Sequence, residues 1–125
     1  MLEVVAAYIR QNEKVLLCQR PENKKRALGW EFPGGKVEPG ETKQAALQRE
    51  CREELDIEVR VCDEIADVTY SYPDVEIHLT LLEAFIQAGK PTALEHKTLR
   101  WVSPEQMTEY ELCPADRLLI NQFRL

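Results

Sequence analysis

The chain has no long apolar run; no stretch approaches the roughly 20 residues a membrane-spanning helix requires. Its start, Met1-Leu-Glu-Val-Val, carries no basic segment or small-residue cleavage site, so no secretory signal peptide is expected. Positive charge is in short supply: 16 Lys and Arg face 22 Asp and Glu, a formal net charge of −6. Such a surface is poorly suited to gripping a nucleic acid polymer through its phosphates. Any phosphate chemistry must then enlist a metal ion or a few placed cations. The 4 cysteines, Cys18, Cys51, Cys62 and Cys113, form no CxxC pair, and only His78 and His96 could join them. A structural zinc site is not expected, and reduced thiols in a cytoplasmic protein are. With 125 residues, 44% of them hydrophobic, the chain makes one domain, residues 1–125, with a real core.

The order of elements indicates an α+β fold. Val4–Ile9 and Val15–Cys18 read as two strands joined at Gln11-Asn12-Glu13. A loop from Pro21 to Gly29 carries Lys24, Lys25 and Arg26, and Trp30–Lys36 reads as a short strand entering a glycine turn. A helix is predicted over about Lys43–Leu55, with Thr42 as its N-cap and Leu47, Cys51 and Leu55 as its buried stripe. Ile57, Val59 and Val61 then alternate with polar residues. Tyr72-Pro73-Asp74 separates Ala66–Ser71 from Val75–Ile86, as in a hairpin. Leu99–Val102 is a further strand. Ser103-Pro104-Glu105-Gln106 has the form of a capping box, and a last helix spans about Ala115–Phe123. Short connections between strands and helices imply a mixed sheet covered by helices.

The informative segment is Gly35–Ile57. Glu50, Glu53 and Glu54 sit at i, i+3 and i+4, so three carboxylates share one helix face. Arg49 can pair with Glu53 at i+4, but spacing alone provides no such partner for Glu50 or Glu54. Repelling charges at this spacing weaken a helix unless something else holds them. Hard divalent cations prefer clustered carboxylate oxygens. Gly34-Gly35 can offer close backbone groups, Lys36 a phosphate counter-charge, and Glu41 a further acid at the helix entrance. This combination suits metal-assisted phosphoryl chemistry.

Gly35, Glu41, Arg49-Glu50, Glu53-Glu54 and Ile57 match the Nudix box, G-x5-E-x7-R-E-U-x-E-E-x-G-U. Asp56 replaces the box glycine, for which altered helix capping is expected, and Cys51 fills an apolar position. Trp30–Glu38, Trp101–Glu105 and Pro114-Ala115-Asp116 extend the likeness. The chain thus resembles Nudix hydrolases of the MutT type, nearest to the bacterial CTP pyrophosphohydrolase branch. The resemblance implies a Nudix fold, a mixed β-sheet between α-helices. It also implies Mg²⁺-dependent hydrolysis of nucleoside triphosphates to monophosphate and pyrophosphate, with Mn²⁺ a possible substitute.

Residue by residue, the resemblance makes Glu53 and Glu54 metal ligands, joined by the carbonyl of Gly35. Glu50 becomes either a ligand or the base for the attacking water. Arg49 orients Glu53, Lys36 faces the leaving pyrophosphate, and Glu41 braces the loop. Glu95 matches an additional metal-binding or basic carboxylate, and is otherwise solvated surface. In the base pocket, Arg20 matches a pocket arginine, Phe32 an aromatic wall or simply core, and Asp116 the residue at the base edge or simply a helix N-cap. Trp30, Tyr70 and Tyr72 are further aromatic candidates. An ionised Asp116 would only accept hydrogen bonds, which suits the exocyclic amine of cytosine and not O6 of guanine. The implied substrate is therefore a small nucleotide such as CTP, dCTP or 5-methyl-dCTP, handled by a monomer or homodimer. Alternatives are an 8-oxo-dGTP sanitising enzyme, a hydrolase of sugar nucleotides or dinucleoside polyphosphates, and a non-catalytic nucleotide-binding domain.

Overall fold

A computed structural model describes residues 1–125. Strand β1 (Leu2–Gln11) turns at Asn12 and Glu13, both in left-handed backbone, into antiparallel β2 (Lys14–Gln19). Then follow β3 (Trp30–Glu31), β4 (Gly34–Lys36), helix α1 (Lys43–Leu55), β5 (Glu58–Ser71), β6 (Glu76–Ala88) and β7 (Thr98–Val102). A 3₁₀ helix (Pro104–Glu109) and helix α2 (Pro114–Phe123) complete the chain.

The sheet runs β3-β2-β1-β6-β5, with β4 joined to β1 and β7 to β2. It is mixed: β1 pairs parallel to β6 from Leu2↔Ile77 to Ile9↔Ala84, and the other pairings are antiparallel. Val5–Ile9 are all buried, so β1 reads as a continuous apolar run, as a strand covered on both faces must. Val5, Ala7, Ile9 and Leu16 pack with Ala46, Leu47, Cys51 and Leu55 of α1. Ala6, Tyr8, Leu17 and Phe32 pack on the other face with Met107 and with Leu119 and Ile120 of α2. The sheet therefore lies between helices, as the sequence pattern implied. No helix is long and apolar enough to cross a membrane.

At α1 the expected bounds and N-cap are found, while the altered capping expected at Asp56 is not. Thr42 caps it, its hydroxyl oxygen accepting from Ala45 N at 3.0 Å. Asp56 closes it in left-handed backbone, its N–H donating to Arg52 O, so aspartate performs the glycine's capping task. Two readings are corrected. Ser103 makes no side-chain cap, and the segment after it is a 3₁₀ helix held by Gln106 N donating to Ser103 O. The segment from Glu58 to Ser71 is one bulged strand rather than two, because register shifts near Val61–Ala66 absorb its irregular pattern.

Candidate active site

The end of α1 faces the β4 turn, which runs so close to β1 that Gly34 has no room for a side chain. A Cβ at Gly34 would strike the β1 backbone at Val5 and Ala6; one at Gly35 would strike the Glu50 carboxylate. Gly34 N donates to Glu54 Oε1 at 3.3 Å. Glu50 and Glu54 thus lie against the glycine turn and line a cleft of about 590 Å³, within the usual range for a small-molecule site. Gly35, Lys36 and Glu95 line the same cleft.

Arg49 serves three carboxylates. Its Nε and Nη2 donate to Glu41 at 2.7 and 2.9 Å, and its Nη1 to Glu50 at 2.8 Å and Glu53 at 3.1 Å. Nη2 also donates to Lys36 O at 2.9 Å. Glu41 further accepts from Glu38 N, and its carboxyl is held down at about 2, chiefly by the Arg49 hydrogen bonds. Arg49 therefore reaches Glu50, which helix spacing had left without a partner. Glu53 stays half exposed at the outer edge and does not line the cleft. Glu54 has no cationic partner. Burial, followed by Glu50, Glu31 and Glu95, pushes its carboxyl up to about 9. Glu50 is also raised, chiefly by burial.

The far end of the cleft is built on Glu31, which the sequence reading did not single out. Arg20 Nη1 donates to its two oxygens at 3.1 and 3.3 Å, and His96 Nε2 to Oε2 at 3.0 Å. Arg20 Nε is spent on Lys25 O at 2.7 Å. Asp116 is buried in the first turn of α2, where its Oδ2 accepts from Phe32 N at 3.0 Å. Cys113, not Asp116, is the N-cap residue of α2, so the helix-cap alternative for Asp116 is corrected. Burial, then Glu31, raises the Asp116 carboxyl well above the usual range. A carboxyl in its neutral form both donates and accepts, so this burial works against the acceptor-only expectation. Phe32 is core, 2% exposed and tilted against Tyr8, with one edge in the cleft.

Of the other aromatics, Tyr72 lines the cleft, with the Arg26 guanidinium 3.9 Å from its ring centroid. Trp30 packs edge-on against Tyr110, and Tyr70 stays outside the cleft. Glu31 carried a faint signal: alternation along Trp30-Glu31-Phe32 turns an acid away from two buried aromatics. His96 had none.

The NUDIX domain family is matched over residues 1–123. The chain is 45% identical to the CTP pyrophosphohydrolase of Escherichia coli, over 98% of this chain and 91% of that protein. It is 34% identical to an 8-oxo-dGTP diphosphatase of Haemophilus influenzae, over 94% and 88%. Among solved structures, the E. coli ORF135 protein superposes with a TM-score of 0.86 at 44% identity, covering 99% of this chain and 89% of that one. A MutT protein from Methanosarcina mazei superposes with a TM-score of 0.87 at 28% identity, covering 98% and 92%. A family match along nearly the whole chain, carried by a carboxylate helix set against a glycine turn, makes this protein a member of the NUDIX family.

Proposed function

We propose that the protein hydrolyses nucleoside triphosphates to the monophosphate and pyrophosphate, with Mg²⁺ as the cofactor and cytidine nucleotides as preferred substrates. The observation that carries this reading is Glu54: a mostly buried carboxylate beside Glu50 with no cation of its own, lining a nucleotide-sized cleft. The residues present fit a hard divalent ion. A raised carboxyl in an acidic cluster is stabilised as its anion once a cation sits among the oxygens. Glu50, Glu54 and the Gly35 carbonyl would hold the ion, with Glu53 at the outer edge and Glu95 close to Glu54 on the loop between β6 and β7. Bound there, the ion would neutralise charge on the phosphates and lower the pKa of a bound water.

The chain's own residues do the rest. Arg49 fixes the direction of Glu50 and Glu53. Lys36, exposed at the cleft, offers its ammonium to the leaving pyrophosphate. Glu50 or Glu95 takes the proton of the attacking water. At the other end, Arg20 and Glu31 form a fixed polar wall, and the Asp116 carboxyl offers a donor and an acceptor to a base edge. An 8-oxo-dGTP reading is a real second reading, because burial favours the neutral form of Asp116, and a neutral carboxyl suits either base. A non-catalytic binding domain is disfavoured by the retention of Glu50, Glu53 and Glu54. The 4 free cysteines fit a reducing compartment, and we place the enzyme in the cytoplasm.

The test is a product-identified assay with CTP, dCTP, 5-methyl-dCTP and 8-oxo-dGTP, with Mg²⁺, Mn²⁺ or excess EDTA. Cytidine nucleotides should give the highest kcat/KM, and EDTA should abolish turnover. Full activity in EDTA overturns the reaction class, and a dominant 8-oxo-dGTP rate overturns the base assignment.

A further inference from the structure

The segment from Gly89 to Lys97 joins β6 to β7 and carries Glu95 to the cleft. Its backbone is stitched down at both ends. Thr92 N donates to Leu55 O at 2.9 Å and Leu94 N to Glu54 O at 3.1 Å, both at the end of α1. Lys97 N donates to Gln19 O at 2.8 Å at the end of β2. Between these points, Glu95 and His96 exchange no backbone hydrogen bond. Their placement falls to side chains. Glu95 meets Lys24 at 3.5 Å, a contact between two half-exposed groups and therefore weak.

His96 differs. Its side chain is 4% exposed, and its Nε2 lies 3.0 Å from Glu31 Oε2. A carboxylate only accepts, so in this contact Nε2 carries the hydrogen and donates. Nδ1 is buried without a partner, so nothing else in the fold depends on that ring's polar atoms. Arg20, Glu31, Glu54, Glu95 and His96 surround one small cavity of about 20 Å³, so both ends of the cleft converge there.

We propose that His96 is a positioning residue: its hydrogen bond to Glu31 anchors the loop to the base end of the cleft and so sets where Glu95 stands beside Glu50 and Glu54. The inference rests on the reading of Glu95 as a site carboxylate. Arg20 holds Glu31 from the other side through both oxygens, so losing the histidine frees Glu95 and leaves Glu31 in place. The expected signature is a loss in kcat with little change in KM.

The test compares His96→Met, which keeps bulk but cannot donate, with His96→Gln, whose amide can place an N–H near Nε2. In metal-free, substrate-free protein, backbone order parameters at Glu95 and His96 should fall in His96→Met from about 0.85 toward 0.6, and stay high in His96→Gln. His96→Met should lose about 10- to 100-fold in kcat, the scale of a small misplacement of a reacting group, and His96→Gln should recover most of it. The proposal is overturned if His96→Met lowers only the melting temperature, with order parameters and kcat intact, or if His96→Gln behaves like His96→Met. Glu95→Gln separates the two layers. If it keeps full kcat, the reading of Glu95 is what fails, and the order parameters alone decide the His96 anchor.

Discussion

Arg49 grips Glu41 with a two-pronged hydrogen bond, Nε to Oε2 at 2.7 Å and Nη2 to Oε1 at 2.9 Å, while Nη1 reaches forward to Glu50 and Glu53. One planar guanidinium thus ties the loop before α1 to the acidic face of α1. A lysine would keep the charge and lose the fork. Arg49→Lys is expected to leave the fold intact and to lower activity about 10- to 100-fold, the usual cost of losing a residue that orients metal-binding carboxylates. Steady-state kinetics across a Mg²⁺ titration check this. Wild-type kcat at saturating Mg²⁺ would mean that the fork is only structural.

Glu54→Gln keeps the shape and removes the charge facing the cleft. It is expected to cost about 100-fold or more in turnover, the scale of one preorganised electrostatic contact. Stability moves the other way. The folded-state carboxyl is raised to about 9, so its contribution is full below its ordinary value and is lost as pH rises toward 9. In metal-free buffer the wild type should therefore lose stability between pH 5 and 9 more steeply than Glu54→Gln, by urea titration. Identical slopes would show that Glu54 ionises freely.

Much of this site could be read from the sequence, and the boundary has a physical cause. Glu50, Glu53, Glu54 and Arg49 lie within one helical turn or so, and Gly35 and Glu41 lie just upstream, so chain spacing fixes their geometry. The base end is different. Glu31, His96 and Asp116 come from β3, the β6–β7 loop and α2, and only the closed sheet brings them together. The raised pKa of Asp116 was equally hidden, because it follows from burial and not from residue type. The capping box after β7 failed because Pro104 opened a 3₁₀ helix in which the Ser103 hydroxyl found no donor.

On the sheet, His78 of β6 stands between Glu3 of β1 and Asp67 of β5. Its Nδ1 and Nε2 each lie 2.7 Å from a carboxylate oxygen. Both nitrogens must carry hydrogen to serve both acids, so the imidazolium is favoured and its pKa is raised, first by Asp67 and then by Glu3. For a raised histidine the added stability is full below the ordinary value near 6.5 and is lost as pH rises through the folded value. The acids are partly exposed, so the gain should be about 1 kcal/mol or less. His78→Gln should be less stable than wild type at pH 6 and nearly equal at pH 9. A constant gap across that range would mean that the contact is packing and not charge.

In the proposed function, Asp116 is the residue that meets the base edge. Its carboxyl is buried and accepts from Phe32 N, and burial raises its pKa well above the usual carboxylate range, which favours the neutral acid over the anion. A neutral acid offers one donor and one acceptor, as an amide does. Asp116→Asn is therefore expected to change the ratio of kcat/KM for CTP and 8-oxo-dGTP by less than about tenfold. A full change of hydrogen-bond character at one base contact would instead shift it by about 1–3 kcal/mol. The stability signature is opposite in sign to that of a salt-bridged aspartate. A folded pKa above the ordinary value gives stability that is full at acid pH and is lost as pH rises. Asparagine has no such loss, so Asp116→Asn should gain on wild type between pH 5 and 8. Asp116→Ala leaves Phe32 N–H without its acceptor in the core and should cost about 1–3 kcal/mol at either pH. If Asp116→Asn instead swings the preference strongly toward 8-oxo-dGTP, with no pH-dependent gain in stability, then Asp116 is ionised. The cytosine amine would then be read by a carboxylate anion after all.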